Sequence, residues 1–273
     1  MELRNTVGIL TGASRGIGVY LADALARKGV NLALAARSKD ELEEVADKAR
    51  ARGVKAIAVP TDVGNIDDQR ELVARTREEL GPVDLLINNA GLEITGYSHE
   101  LEPERIASVM AVNLTGLIQL TTLVLPEMME RRRGHVCNMA SAAGLIARPY
   151  ATVYSATKHG VIGYSWSLRA EMIDHGVEVT VVCPAYVSGV GMYATRMRAR
   201  EKAQPPKGLK PVRPSKVTTE TIKSIEANRA EVIIGPAVAK IAGVAHALSP
   251  DLAIKMGRRS GAHRFMKKEA VGE

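Results

Sequence analysis

The chain has 273 residues, 46% hydrophobic and 25% charged, so it can bury a sizeable core and is neither disordered nor fibrous. The length favours one large α/β domain over two small ones, and with Phe, Trp and Tyr at only 3% the packing is left to Val, Ile, Leu, Ala and Met. The net charge of +7 and pI of about 9.4 suggest an anionic partner, yet the excess is local: eight Lys or Arg stand against Glu201 between Val190 and Lys216, and the rest of the chain sums to zero.

The N-terminus, MELRNTVGILTG, carries charges and then an apolar run of strand length, without the pattern of a signal peptide, so a cytoplasmic location is expected. Strand-like runs follow at Thr6–Leu10, Asn31–Ala35, Val54–Val59, Val83–Ile87, His135–Met139, Val177–Val182 and Glu231–Ile234, alternating with helical patterns. Runs such as VDLLIN and VEVTVVC are almost continuously apolar, as in parallel strands covered on both faces. Between them, KDELEEVADKARARG reads as an amphipathic helix with Gly53 as its stop. The uncharged stretch Ile106–Pro126 approaches the roughly 20 residues of a membrane span, but Asn113, Gln119 and several Thr and Ser interrupt it, so a soluble helix covered on most sides is expected. Cys137 and Cys183 lie inside apolar strands and read as buried thiols, and no metal site is expected. The rhythm predicts an α/β fold: a doubly wound, parallel, seven-stranded sheet of the Rossmann type, as a single domain over residues 1–273. One irregular region, Pro184 to about Pro214, breaks it.

In such sheets ligands bind beyond the carboxyl ends of the strands. After the first strand comes Thr11-Gly12-Ala13-Ser14-Arg15-Gly16-Ile17-Gly18 and then a helix, a turn that lets backbone approach a pyrophosphate at a helix N-terminus. At the end of the second strand, where an acidic residue would bind a ribose hydroxyl, the chain has Arg37 and Ser38; guanidinium groups bind phosphate instead, and Arg15 converges from the glycine loop. Ser141 closes the fifth strand. Tyr154 follows thirteen positions later, and Lys158 four after that, on one helical face.

Together these motifs, TGxxxGxG, NNAG after the fourth strand and YSATK, resemble the short-chain dehydrogenase/reductase family over about residues 5–190. The resemblance implies NADP(H) as cofactor, held by Gly12, Ser14, Arg15, Gly16, Ile17, Gly18, Arg37, Ser38, Asp62, Val63, Asn89, Ala90, Gly91, Tyr154, Lys158, Pro184 and Val187. Asp62 would accept from the adenine amino group, and Asn88 would hold neighbouring strands together. The implied catalytic set is Asn113, Ser141, Tyr154 and Lys158. Tyr154 exchanges the proton, Lys158 lowers its pKa and binds the nicotinamide ribose, Ser141 positions the carbonyl oxygen and Asn113 holds a water that relays protons to the lysine.

The pattern departs from the family after the sixth strand, where PGxVxT is replaced by Pro184-Ala185-Tyr186-Val187-Ser188-Gly189 and Ser188 offers the nearest hydroxyl. Residues 184–216 form a basic segment where the family closes a lid. It admits three readings: a solvated loop, a site for an anionic handle on the substrate, or peripheral contact with an anionic membrane. Nucleic acid is not expected, since no aromatic residues are interleaved with the charges. In the C-terminal extension, 235–273, the apolar Ile241, Val244, Leu248, Leu252 and Ile254 are expected to pack on the sheet, the alternative being the wall of a lipophilic pocket. His159 and His175 read as surface or packing residues. The expected function is an NADP(H)-dependent oxidoreductase acting on a lipophilic or acyl carbonyl or secondary alcohol, assembled as a homodimer or homotetramer. The alternative is a cofactor-binding scaffold or sensor without turnover that engages an anionic partner.

Overall fold

The computed structural model describes residues 1–199 and 210–272, apart from the side chains of Arg196, Arg198 and Ala199. Arg200, Lys202 and Lys207, the middle of the expected basic lid, therefore lie outside the described residues. In chain order the elements are β1 (Val7–Thr11), α1 (Ile17–Arg27), β2 (Asn31–Ala36), α2 (Lys39–Arg50), β3 (Ala56–Pro60), α3 (Ile66–Glu79), β4 (Leu85–Asn88), α4 (Pro103–Met110), α5 (Gly116–Glu130), β5 (Gly134–Met139), α6 (Thr152–Met172), β6 (Val177–Pro184), α7 (Gly191–Ala199), α8 (Pro214–Glu226), β7 (Glu231–Ile234), α9 (Ala237–Leu248), α10 (Pro250–Arg259) and α11 (Ala262–Val271).

The seven strands are all parallel, in the order β3-β2-β1-β4-β5-β6-β7. Their continuous apolar runs are explained by cover on both faces. Leu10 and Leu34 pack with Leu21, Leu42 and Val217 from α1, α2 and α8. Their neighbours Ile9 and Ala33 pack with Leu72, Val124 and Leu168 from α3, α5 and α6. Cys137 and Cys183 are buried within these layers, and burial pushes the Cys137 thiol up to about 12, far from reactivity at neutral pH. The order reverses between β1 and β4, which opens a crevice at the carboxyl ends of these strands. Gly53, at φ +85°, terminates α2 as its position suggests, its N–H donating to Arg50 O.

Three expectations change. Within the region read as irregular, Gly191–Ala199 is helical. The uncharged stretch forms one run, Pro103–Glu130, through a π-helical turn at Ala111–Thr115; by length and composition it is apolar enough to cross a membrane. Only 39% of its most apolar window is buried, so the expected cover on most sides is not met within one chain. Finally, α9 and α10 do not pack on the sheet. Both sheet faces are already covered, and Ile241, Val244, Leu248, Leu252 and Ile254 are left exposed.

Candidate active site

The glycine loop bends at Gly12 and Gly16, both with φ near +64°, a region in which side chains are strained. A Cβ on Gly12 would lie 2.8 Å from Ala90 Cα, and one on Gly18 only 2.1 Å from Gly12 O, so the first glycine admits the loop after β4 and the last lets α1 close onto the turn. Thr11 Oγ1 accepts from Asn89 N and Ala90 N, each at 3.0 Å, and Asn89 Nδ2 donates to Thr11 O at 2.9 Å. Asn88 Nδ2 donates to Asn138 Oδ1 at 2.9 Å and so joins β4 to β5. The N-terminus of α1 has no side-chain cap and no acidic residue in its first turn, which leaves its amides and dipole available to an anion.

One cleft of about 1750 Å³ joins this loop to the carboxyl ends of β5 and β6. Its walls include Gly12, Ser14, Arg15, Gly16, Ile17, Arg37, Ser38, Asp62, Val63, Asn89, Ala90, Gly91, Ser141, Tyr154, Lys158, Pro184 and Val187. Two of the expected site residues do not reach it. Gly18 is buried behind the turn, and Asn113 is buried between the segment after β4 and α6. Asn113 Oδ1 accepts from Leu92 N at 2.7 Å, and Nδ2 donates to Leu92 O at 2.8 Å and Thr157 Oγ1 at 3.1 Å. Its amide thus fastens the segment after β4 to α6. A Cβ on Gly91 would lie 3.5 Å from Asn113 Oδ1 and 3.8 Å from Lys158 Nζ, so that glycine stands between the two groups.

Arg15 and Arg37 are both exposed on the cleft and form no ion pair among the described residues. Ser38 precedes α2 without capping it, so its hydroxyl is open to the same space. Asp62 lines the cleft, with Oδ1 accepting from Gly64 N at 2.8 Å. These residues fit a dinucleotide: the glycine turn can take its pyrophosphate at the N-terminus of α1, and Arg15, Arg37, Ser38 and Glu41 line the cleft beyond β2.

At the other end, Tyr154 packs on Ala143, Ala151 and Met192. Burial raises its phenol above the usual range, opposed by a hydrogen bond with Ser141 and by the charge of Arg148. The Lys158 Nζ lies 5.7 Å from the Tyr154 ring centroid and donates to Met139 O at 2.8 Å. Ser188 turns away, donating to Val212 O at 3.2 Å. Ala185 fits where the family has Gly because residue 235 is itself a glycine, whose added Cβ would come 2.9 Å from Ala185 Cβ.

Burial lowers Lys158 from its usual 10.5 to about 8. Below that pH both folded and unfolded chains hold the proton and the buried ammonium is penalised; above it, up to about 10.5, only the unfolded chain holds it, so stability rises with pH. Wild type should therefore gain stability relative to Lys158→Met between pH 8 and 10, by an amount on the order of 2 kcal/mol in denaturant titrations. Parallel curves for the two proteins would refute the buried ammonium.

Sequence reasoning missed a buried ionic cluster beside Tyr154. Arg148 pairs with Glu93 and, at 3.3 Å, with both oxygens of Glu269 from α11. Its guanidinium carbon lies 5.9 Å from the Tyr154 ring centroid and 5.6 Å from that of Tyr186, whose hydroxyl donates to Glu269 Oε2 at 3.4 Å. The C-terminal extension also walls the cleft, with Ile241 from α9 and Ile254 and Met256 from α10 in the same lining as Ser141, Tyr154 and Lys158. The pocket-wall alternative is therefore the arrangement adopted by part of this region.

Among known proteins, the family described as short chain dehydrogenase matches residues 6–201. The ketoacyl reductase HetN of Nostoc sp. is 40% identical over 227 residues, 83% of this chain and 77% of that protein. The 3-oxoacyl-(acyl-carrier-protein) reductase FabG of Staphylococcus epidermidis is 34% identical over 184 residues, 67% of this chain and 75% of that protein. In structure, the chain is similar to an actinorhodin polyketide ketoreductase solved with NADPH, at a TM-score of 0.79 and 30% identity over 86% of this chain and 97% of that one. With sheet order, glycine turn, Ser141, Tyr154 and Lys158 on one cleft, and matched relatives over most of its length, the chain belongs to the short-chain dehydrogenase family.

Proposed function

We propose that this protein is an NADP(H)-dependent reductase of lipophilic ketones. The observation that carries the reading is that Ser141, Tyr154 and Lys158 open onto the same cleft as an uncapped, glycine-lined helix N-terminus. Reduced nicotinamide, when bound, supplies the hydride. Ser141 donates to the carbonyl oxygen and orients it. Tyr154, kept neutral by burial, gives that oxygen its proton. Lys158 holds the ribose and, with a pKa of about 8, takes part in restoring the tyrosine proton. Ile241, Ile254 and Met256 suit an apolar substrate body, and Arg105 and Arg258 on the same cleft suit an anionic handle. The ketoreductase names of its relatives support the reaction class. The half-covered face of α5 and the exposed Trp166 of α6 support a homodimer or homotetramer.

The cofactor assignment is tested with Arg37→Asp. A carboxylate there repels the ribose phosphate and binds a free hydroxyl, so the ratio of kcat/KM for NADPH over NADH should fall at least roughly tenfold, about 1.4 kcal/mol. An unchanged ratio would move the phosphate site elsewhere.

A further inference from the structure

Of the ten large apolar side chains exposed among the described residues, seven fall between Val238 and Met256, from 44% exposed at Val238 to 82% at Leu248. They are ordered. Ile241, Val244 and Leu248 recur at i, i+3 and i+7 along α9, and Leu252 and Met256 at i and i+4 along α10, so each helix carries an apolar stripe, and the two helices pack on one another. An apolar surface of this extent is uncommon on a soluble protein unless something covers it.

The charge around it selects the occupant. From Pro236 to Gly272 there are seven Lys or Arg, with Lys240, Lys255 and Arg259 on the two helices, against Asp251 and Glu269. Glu269 is buried with Arg148, so the surface charge is almost wholly positive. A second copy would bring the same charge to the same face. An anionic bilayer complements it, with the stripes in the acyl boundary and the bases at the headgroups. We propose that the α9–α10 hairpin docks in the plane of an anionic membrane. Val244, Leu248 and Leu252 do not line the cleft, whereas Ile241, Ile254 and Met256 of the same hairpin do. Docking therefore sets the mouth of the cleft at the lipid surface, and, on the reductase reading above, a lipophilic ketone enters from the bilayer past Ile241, Ile254 and Met256.

The test is flotation of the full-length protein with vesicles of phosphatidylglycerol mixed into phosphatidylcholine, beside vesicles of phosphatidylcholine alone. Wild type should bind the anionic vesicles, with a partition coefficient roughly tenfold lower on neutral vesicles or in high salt. The combined Val244→Ser, Leu248→Ser, Leu252→Ser variant should lose binding by roughly tenfold or more while reducing a small water-soluble ketone at the wild-type rate. Lys240→Glu, Lys255→Glu and Arg259→Glu together should do the same. Absence of wild-type binding to anionic vesicles overturns the proposal, as does full binding by the serine variant. A serine variant that only converts a larger assembly into a smaller one, measured by light scattering, would assign the face to a second copy instead. Because binding is read without turnover, failure here is distinct from failure of the reductase reading.

Discussion

Tyr154→Phe should lower the rate of ketone reduction by roughly 10²–10⁴-fold while leaving cofactor affinity almost unchanged. The reason lies in what the side chain does twice over. Its ring is a packing element against Ala143, Ala151 and Met192, and phenylalanine preserves that. Its hydroxyl is a proton donor on the cleft that interacts with Ser141 and lies under the charge of Arg148, and phenylalanine removes it. Loss of binding together with loss of turnover would show that the substitution had disturbed the cleft and not the proton step. Because burial raises this phenol, it remains protonated across neutral pH, which suits the direction of reduction.

Arg148→Met should destabilise the fold by about 3–5 kcal/mol and lower Tm by roughly 10 °C. The guanidinium is buried, and so are both carboxylates it joins; methionine fills much of the volume but leaves Glu93 and Glu269 without the cation they share. The decisive comparison is the triple variant Arg148→Met, Glu93→Gln, Glu269→Gln, which neutralises the carboxylates as well as the cation and should recover most of the loss by calorimetry. If the single variant melts with wild type, the cluster is not holding α11 to the cleft. The same single variant should raise the Tyr154 pKa further, since one of the two groups that oppose burial is gone.

What could be read from the residues was whatever has a local pattern. The seven strands begin within two residues of where continuous apolar runs bounded by turns put them, because such runs are a short-range signal, and the glycine turn and the shared face of Tyr154 and Lys158 are local in the same way, while their roles come from the family resemblance. Arg148 had no such signal. Its partners lie 55 and 121 positions away, and nothing near it marks a residue destined to be buried; the only hints were a base between Ser141 and Tyr154 and an acid just after NNAG. The placement of the C-terminal helices is not legible for a different reason. An apolar stripe at helical spacing looks the same whether it faces a core or the outside, and only the finding that both sheet faces are occupied decides between them. The contact of Lys158 Nζ with Met139 O also has no local signal, since its partner lies 19 positions away.

The most direct measurement follows the hydrogen itself. Wild-type protein is mixed with NADPH deuterated at the transferable position and with a lipophilic ketone, and the alcohol is weighed by mass spectrometry. Alcohol carrying one deuterium at the carbinol carbon, formed by wild type and not by Tyr154→Phe, is the expected result. Unlabelled alcohol, or none from any ketone under conditions where NADPH is seen to bind, would contradict hydride delivery in this cleft.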